Sequence, residues 1–223
     1  MKIQNLTDKH KKFFAEIIGT FVLVVCATGS IVLDNKLNGS LGLPFVAFAP
    51  AIAVALMVYA FAKISLANFN PAVTIGFLIT NHIPRRLFVL YFSAQMIGAF
   101  LATLFVKYTL GTEASLGANF PNYSYPITLI FGIEVLATAF LMGIILIVVH
   151  TGGLKKVGWI AIGSVVGLDI FFFSFISGAS MNPVRSLAPA ILSDYLNDLW
   201  LYLTATFVGS AIVAFIYRKK FAR

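Results

Sequence analysis

Two short stretches of this sequence carry polar side chains that their apolar surroundings make costly. Ser65-Leu-Ala-Asn-Phe-Asn-Pro-Ala-Val-Thr74 and Ser177-Gly-Ala-Ser-Met-Asn-Pro-Val-Arg-Ser186 match at serine, alanine, asparagine and proline, with hydroxyl residues at both ends. Asn is a favoured N-cap and Pro a favoured first helical residue. Asn70-Pro71-Ala72 and Asn182-Pro183-Val184 therefore each predict a helix that starts at a defined point. An asparagine amide offers two N–H donors, and a helix N-terminus adds roughly half a positive charge. Such a pair suits the oxygen of a neutral molecule and repels cations.

Four further polar groups repeat or stand out. Arg185 follows Asn182 by three residues, and an arginine in an apolar setting costs about 2.5–3.5 kcal/mol unless it meets water or a partner. It is predicted to line a cavity as a donor that binds solute and helps exclude cations and protons; snorkelling to the surface is the competing reading. Glu16-Ile-Ile-Gly-Thr20 pairs with Glu134-Val-Leu-Ala-Thr138. Glu16 and Glu134 are predicted to accept hydrogen bonds from the loop leading into each short helix, with a proton relay as the alternative. Asp169 has no acidic counterpart in the first half, and a helix-end contact and a group at a pore mouth both stay open. His10, His82 and His150 are isolated and lack metal-ligand spacing, so they receive no chemistry. The lone Cys26 excludes a disulfide within the chain and a thiolate zinc site, and its apolar run predicts buried packing. No cofactor or metal is implied. With no clustered carboxylates and no nucleophile beside a base, an enzyme is disfavoured.

These groups need a scaffold, and composition says which kind. Of 223 residues, 60% are hydrophobic and 11% charged, against about a quarter charged in soluble domains; mean hydropathy is +0.94. A water-soluble enzyme is excluded. A spanning helix needs about 20 apolar residues, and six stretches qualify: 13–33, 44–63, 86–107, 126–150, 157–177 and 198–217. The first is too long for a signal-peptide core and no small-residue cleavage site follows it, so it reads as a retained span. Two segments, 70–80 and 182–192, are apolar but too short to span. The expected fold is an all-α membrane protein with six transmembrane helices plus two re-entrant half-helices, one channel-like domain over residues 1–223. Its halves, about 13–108 and 126–217, each hold three spans, an odd number, so the second lies inverted relative to the first. Inverted repeats with broken helices place a site near the bilayer midplane. Irregular backbone inside a membrane is tolerated only where protein or a wet cavity covers it, so the carbonyls of 64–69 and 176–181 are expected to form a polar track.

The charge balance then acquires a meaning. Sixteen Lys and Arg stand against eight Asp and Glu, a net charge of +8. Six spans put thirteen of the cations on one side: Lys2, Lys9, Lys11, Lys12, Lys63, Arg85, Arg86, Lys155, Lys156, Arg218, Lys219, Lys220 and Arg223. Lys36 and Lys107 fall on the other, with Asp34, Glu113, Asp194 and Asp198. The positive-inside rule makes both termini cytoplasmic. The excess is an orientation signal in a lipid bilayer, and no nucleic acid is needed to explain it.

The chain resembles the aquaporin, or major intrinsic protein, family over essentially its whole length. The resemblance rests on Glu16 to Thr20, Asn70 to Thr74, Ala94-Gln95-Met96-Ile97-Gly98-Ala99, Glu134 and Gly178 to Ser186. It implies six tilted helices and two half-helices around a pore in each protomer, a homotetramer in the cell membrane, and passage of water and small uncharged solutes. Gly163 with Gly167 and Ala205 with Gly209 have the spacing that close helix crossings require. Carried over by counting back from the asparagines, the family's outer constriction is Pro50, Ile170 and Ala179, joined by Arg185. Strict water channels in the family typically carry Phe and His at the first two, so a wider and more apolar constriction is implied. A proline in a span also fits a helix start or kink, which would shift Pro50 out of that set. Val184 in the second box and Tyr202 in the sixth span are similar to nodulin-like plant channels and prokaryotic relatives that conduct glycerol, urea or uncharged metalloid hydroxides. Ser186 departs from the glycerol facilitators, which typically have Asp there. Lys63, Leu66 and Asn68 replace the Gly or His often found before the first box; for Lys63, snorkelling and gating are both open. The expected function is passive conduction of water and such solutes without ions or protons. Its alternatives are a strict water channel and an ion-coupled transporter, for which only Glu16, Glu134 and Asp169 are available.

Overall fold

A computed structural model describes residues 2–221, with side chains from residue 7 onward except that of Lys155. Arg223 and the side chains of Lys2 and Lys155, three of the thirteen cations above, lie outside the described residues. The helices are α1 (Lys2–Lys36), α2 (Gly42–Ser65), α3 (Pro71–Ile79), α4 (Arg85–Thr109), α5 (Glu113–Gly117), α6 (Ile127–His150), α7 (Gly158–Ser177), α8 (Pro183–Leu192) and α9 (Leu199–Phe221), with a 3₁₀ turn at Gly152–Lys156. Six are long and apolar enough to cross a membrane. α1 begins well before residue 13, because an apolar count finds the buried band while the helix continues through the lysine-rich segment beyond it.

The spans form an incomplete ring. α4 packs on α1, α1 on α2, α2 on α7, α7 on α6 and α6 on α9, while among the described residues α4 and α9 do not touch. The half-helices α3 and α8 fill that gap, each packed against both α4 and α9. In lipid, apolar burial does not drive helices together, and small residues that let backbones approach do. Gly98 and Gly209 serve the two halves alike. A Cβ at Gly98 would lie 2.6 Å from the Ile17 carbonyl and 3.0 Å from Thr20 Cβ; one at Gly209 would lie 2.3 Å from the Val135 carbonyl and 3.0 Å from Thr138 Cβ. Gly163 meets Ala51 and Ala55 of α2 in the same way.

One feature differs from the sequence expectation, and the connection between the halves adds a second that it did not describe. Cys26 is half-buried rather than buried; it falls off the inward stripe of α1 that Val24, Ala27 and Thr28 occupy. The long central connection is not a plain surface loop. Ala114, Ser115 and Leu116 of α5 are left-handed, with φ of 47°, 49° and 57°. Gly117 follows at φ 67°, where a Cβ would lie 2.6 Å from the Thr28 carbonyl. This tight turn buries Leu116 and Gly117 and carries the next residues inward.

Candidate functional site

Asn70 and Asn182 each do two jobs with one amide. Asn70 Oδ1 accepts from Ala72 N at 2.8 Å, and Asn182 Oδ1 accepts from Val184 N at 3.2 Å, so each oxygen caps its own half-helix. Asn70 Nδ2 donates to the Met181 carbonyl at 2.7 Å, and Asn182 Nδ2 donates to the Phe69 carbonyl at 3.0 Å. Each half-helix is thereby tied to the loop of the other. Both asparagines are buried, and one N–H of each amide has no partner assigned by these bonds.

The loops before the asparagines are held in a strained form by the two glutamates. Leu66, Ala67 and Phe69 have positive φ, and so do Gly178, Ala179 and Met181 at the equivalent places; a left-handed non-glycine residue costs roughly 1–2 kcal/mol. Glu16, fully buried, accepts from Ser65 Oγ at 2.6 Å, Asn68 N at 3.0 Å, Phe69 N at 2.8 Å and Gln95 Nε2 at 2.8 Å. Glu134, also fully buried, accepts from Ser177 Oγ at 2.8 Å, Ser180 N at 3.0 Å and Met181 N at 3.4 Å. Two tyrosines complete the pattern: Tyr91 donates to the Ser65 carbonyl at 2.8 Å and Tyr202 to the Ser177 carbonyl at 2.7 Å. The ring of Phe69 fits only because Gly19 lies beneath it, where a Cβ would come within 2.0 Å.

A narrow cavity of about 40 Å³ begins at this centre. Asn70, Asn182, Arg185 and Ser180 are its polar lining residues, and Ala179, Met181, Pro50, Val54, Val166 and Ile170 are among its apolar ones. A water needs at least about 10–15 Å³ of such space, so this volume suits a short single file. Pro50 sits inside α2 and neither starts nor ends it. Pro50, Ile170, Ala179 and Arg185 thus come together on one cavity, α2, α7, the second loop and α8 each supplying one.

Arg185 is buried, and its partners were not foreseen from sequence. Nη1 donates to the Gly117 carbonyl at 3.0 Å and to Asn119 Oδ1 at 2.5 Å. Asn119 also accepts from Ser186 Oγ at 2.7 Å, and its Nδ2 donates to the Gly178 carbonyl at 2.7 Å. The central connection therefore reaches Arg185 and holds it without a carboxylate. Only a polar residue following a glycine-bearing turn signals it in the sequence.

The remaining candidates lie apart. Asp169 is buried within α7, away from either helix end, is not among the cavity-lining residues, and has one carboxylate oxygen with no partner among the described residues. Lys63 is exposed in the last turn of α2. His82 and His150 are not isolated: their rings lie 5.8 and 5.7 Å from that of Tyr217, and His150 Nδ1 is 3.0 Å from its hydroxyl. At the opposite end, the hydroxyls of Tyr123 and Tyr195 both donate to Asp198.

Residues 3–217 match the family model for the major intrinsic proteins. The chain is 34% identical over 209 residues to aquaporin NIP1-1 of Zea mays, covering 93% of this chain and 73% of that one. It is 36% identical over 210 residues to a probable NIP-type aquaporin of Nicotiana alata, covering 93% and 76%. Among solved structures, the aquaglyceroporin from Plasmodium falciparum superposes with a TM-score of 0.82 at 28% identity, covering 95% of this chain and 96% of that one.

Proposed function

The chain belongs to the major intrinsic protein family of membrane channels, and from that premise we propose that it conducts water and small uncharged solutes such as glycerol, urea or neutral metalloid hydroxides, and excludes ions and protons. It is a channel for water or small solutes and not an enzyme.

The crossed hydrogen bonds of Asn70 and Asn182 carry the reading. With each amide oxygen and one N–H engaged, the remaining N–H donors are fixed and meet a passing oxygen. Two half-helix N-termini add positive potential at the same level, so a cation pays desolvation with no anionic return. A water whose oxygen accepts from these donors points its own hydrogens away along the file, which interrupts proton hopping. Arg185 adds a second fixed positive charge and further donors. Pro50, Ile170 and Ala179 supply walls that bind no water tightly, which favours solutes with a carbon skeleton. Glu16 and Glu134 serve the loops and not the solute, which argues against an ion-coupled transporter.

The crowding of cations at one end supports cytoplasmic termini. Assembly of four copies in the cell membrane belongs to the same reading, by likeness to the family; an apolar groove of about 580 Å³ between α2 and α7, floored by Gly163 and Gly167, offers one face for it.

Stopped-flow light scattering on proteoliposomes tests this. An osmotic shock with impermeant sugar, then with glycerol or urea, is expected to give rates well above those of protein-free liposomes. Fast water alone would reduce the reading to a strict water channel. No acceleration for any solute, or uptake that needs an imposed ion gradient, would overturn it.

A further inference from the structure

The gap between α4 and α9 leaves an open groove at the basic end of the bundle. α3 wedges the two spans apart, and beyond its last turn a cavity of about 770 Å³ opens between the start of α4 and the end of α9. Arg85, the first residue of α4, and Arg218, in the last turn of α9, both line it; Ile83 and Phe215 are among its apolar walls, and among the described residues no acidic one lines it. Exposed apolar side chains continue one turn further into the membrane band: Val89 follows Arg85 by four residues, and Ile212 precedes Phe215 by three, spacings that keep each pair on one helix face.

We propose that this groove binds the headgroup of an anionic phospholipid, its phosphate held between Arg85 and Arg218 and its acyl chains lying along the α4–α9 seam. The charge match supports the assignment. A guanidinium presents a planar fork of donors to phosphate oxygens, two of them converge on one opening, and nothing acidic there competes. Position supports it equally, since basic pockets between transmembrane helices at the headgroup level are where anionic lipids dock. A free anion would gain the same phosphate contacts but leave the apolar walls and the seam uncovered. The site is separate from the conducting cavity, so it stands whether or not the solute assignment does.

Native mass spectrometry of the purified chain in detergent, titrated with phosphatidylglycerol or phosphatidylcholine, tests the site. Preferential retention of phosphatidylglycerol is expected, with its affinity about 30-fold weaker in the R85Q/R218Q double variant. The R86Q/K219Q pair removes the same charge from neighbouring positions outside the groove and is expected to retain the lipid nearly as well as the unaltered chain. Equal retention of both lipids by the unaltered chain, or an equal loss in both double variants, would overturn the proposal. Thermal unfolding of each variant without lipid separates a folding defect from a binding one: R85Q/R218Q is expected to melt like R86Q/K219Q without lipid and to lose only the increment that phosphatidylglycerol adds.

Discussion

Asn70 and Asn182 hold each other's loops: the first donates to the Met181 carbonyl and the second to the Phe69 carbonyl. Neither half-helix is positioned by its own half alone. Replacing Asn182 with Ala removes a cap worth about 1 kcal/mol and orphans the buried Phe69 carbonyl at about 1–3 kcal/mol. N70A loses the equivalent pair. Both variants are expected to melt at lower temperature by similar amounts and to conduct water at least tenfold more slowly in proteoliposomes. A variant that melts normally yet still conducts at the unaltered rate would remove the asparagines from the pathway.

Glu16 and Glu134 do the same work, but the consequences of amidating them differ. Among the described residues Glu134 accepts only from Ser177, at the end of α7, and from Ser180 and Met181 in the loop that follows. In E134Q an NH2 group faces the fixed Ser180 and Met181 N–H donors, and among the described partners only the Ser177 hydroxyl can turn to accept from it, as Ser65 can at Glu16. Glu16 also accepts from Gln95, whose Oε1 has no partner among the described residues. A flip of that amide offers E16Q an acceptor. Thermal denaturation is expected to show a loss of about 1–3 kcal/mol for E134Q and a smaller one for E16Q. The reverse order would remove this role from Gln95.

How much of this the sequence made legible follows from the range of each interaction. The half-helix starts at Asn70 and Asn182 were readable to the residue, because a cap and a first-turn proline are local chemistry. Span ends other than the start of α1 were readable to within a few residues, because lipid demands a fixed apolar length. The glutamate partners were visible only through the repeat, which placed two costly carboxylates at equivalent positions. Asn119 was not legible: its role depends on a left-handed turn that delivers it to Arg185 from 66 residues away. The meeting of His82 and His150 around Tyr217 was hidden for the same reason, as three helix ends had to converge first.

Asn119 is expected to tune selectivity by positioning Arg185. N119A leaves Nη1 with the Gly117 carbonyl alone and frees the guanidinium to move. A charged hydrogen bond is worth about 1.5–3 kcal/mol, and losing half of that restraint is expected to raise the glycerol-to-water permeability ratio by about tenfold. N119D keeps the acceptor for Arg185 and Ser186 and is expected to return the ratio toward that of the unaltered chain. Stopped-flow measurement of both solutes checks this; a change in both rates by one common factor would mark Asn119 as structural only.

The paired tyrosines at the opposite end give a pH signature. Tyr195 is pushed up to about 12 by the hydrogen bond it donates to Asp198, with burial and the carboxylate's charge adding to it. Tyr123 is raised for the same reasons. A raised folded value means that the contact stabilises fully below the unfolded tyrosine value of about 10 and is lost as pH rises through the folded value. Alkaline titration of phenolate absorbance, taken as the difference between the unaltered chain and Y195F, is expected to place Tyr195 near 12. In D198N it is expected to fall back toward about 10, and a Tyr195 transition that D198N leaves unmoved would break the link.

Gly209 offers the sharpest packing test. Its missing side chain lets α9 lie against α6, and a Cβ there would stand 2.3 Å from the backbone carbonyl of Val135. A carbonyl in a helix cannot turn aside, so G209A must push the two spans apart. Overpacking of this kind costs about 1–3 kcal/mol. Because α8 also rests on α9, the displacement is expected to loosen the half-helix that carries Asn182 and Arg185. Gly132, on α6, serves as the control, since a Cβ added there would meet nothing within 4 Å among the described residues. There G132A gains the helix preference of Ala over Gly, about 1 kcal/mol, and is expected to melt at the same temperature or higher. Thermal unfolding and water permeability measured side by side decide it. G209A is expected to lose both and G132A neither, and an unaffected G209A would mean that the α6–α9 contact does not set the position of α8.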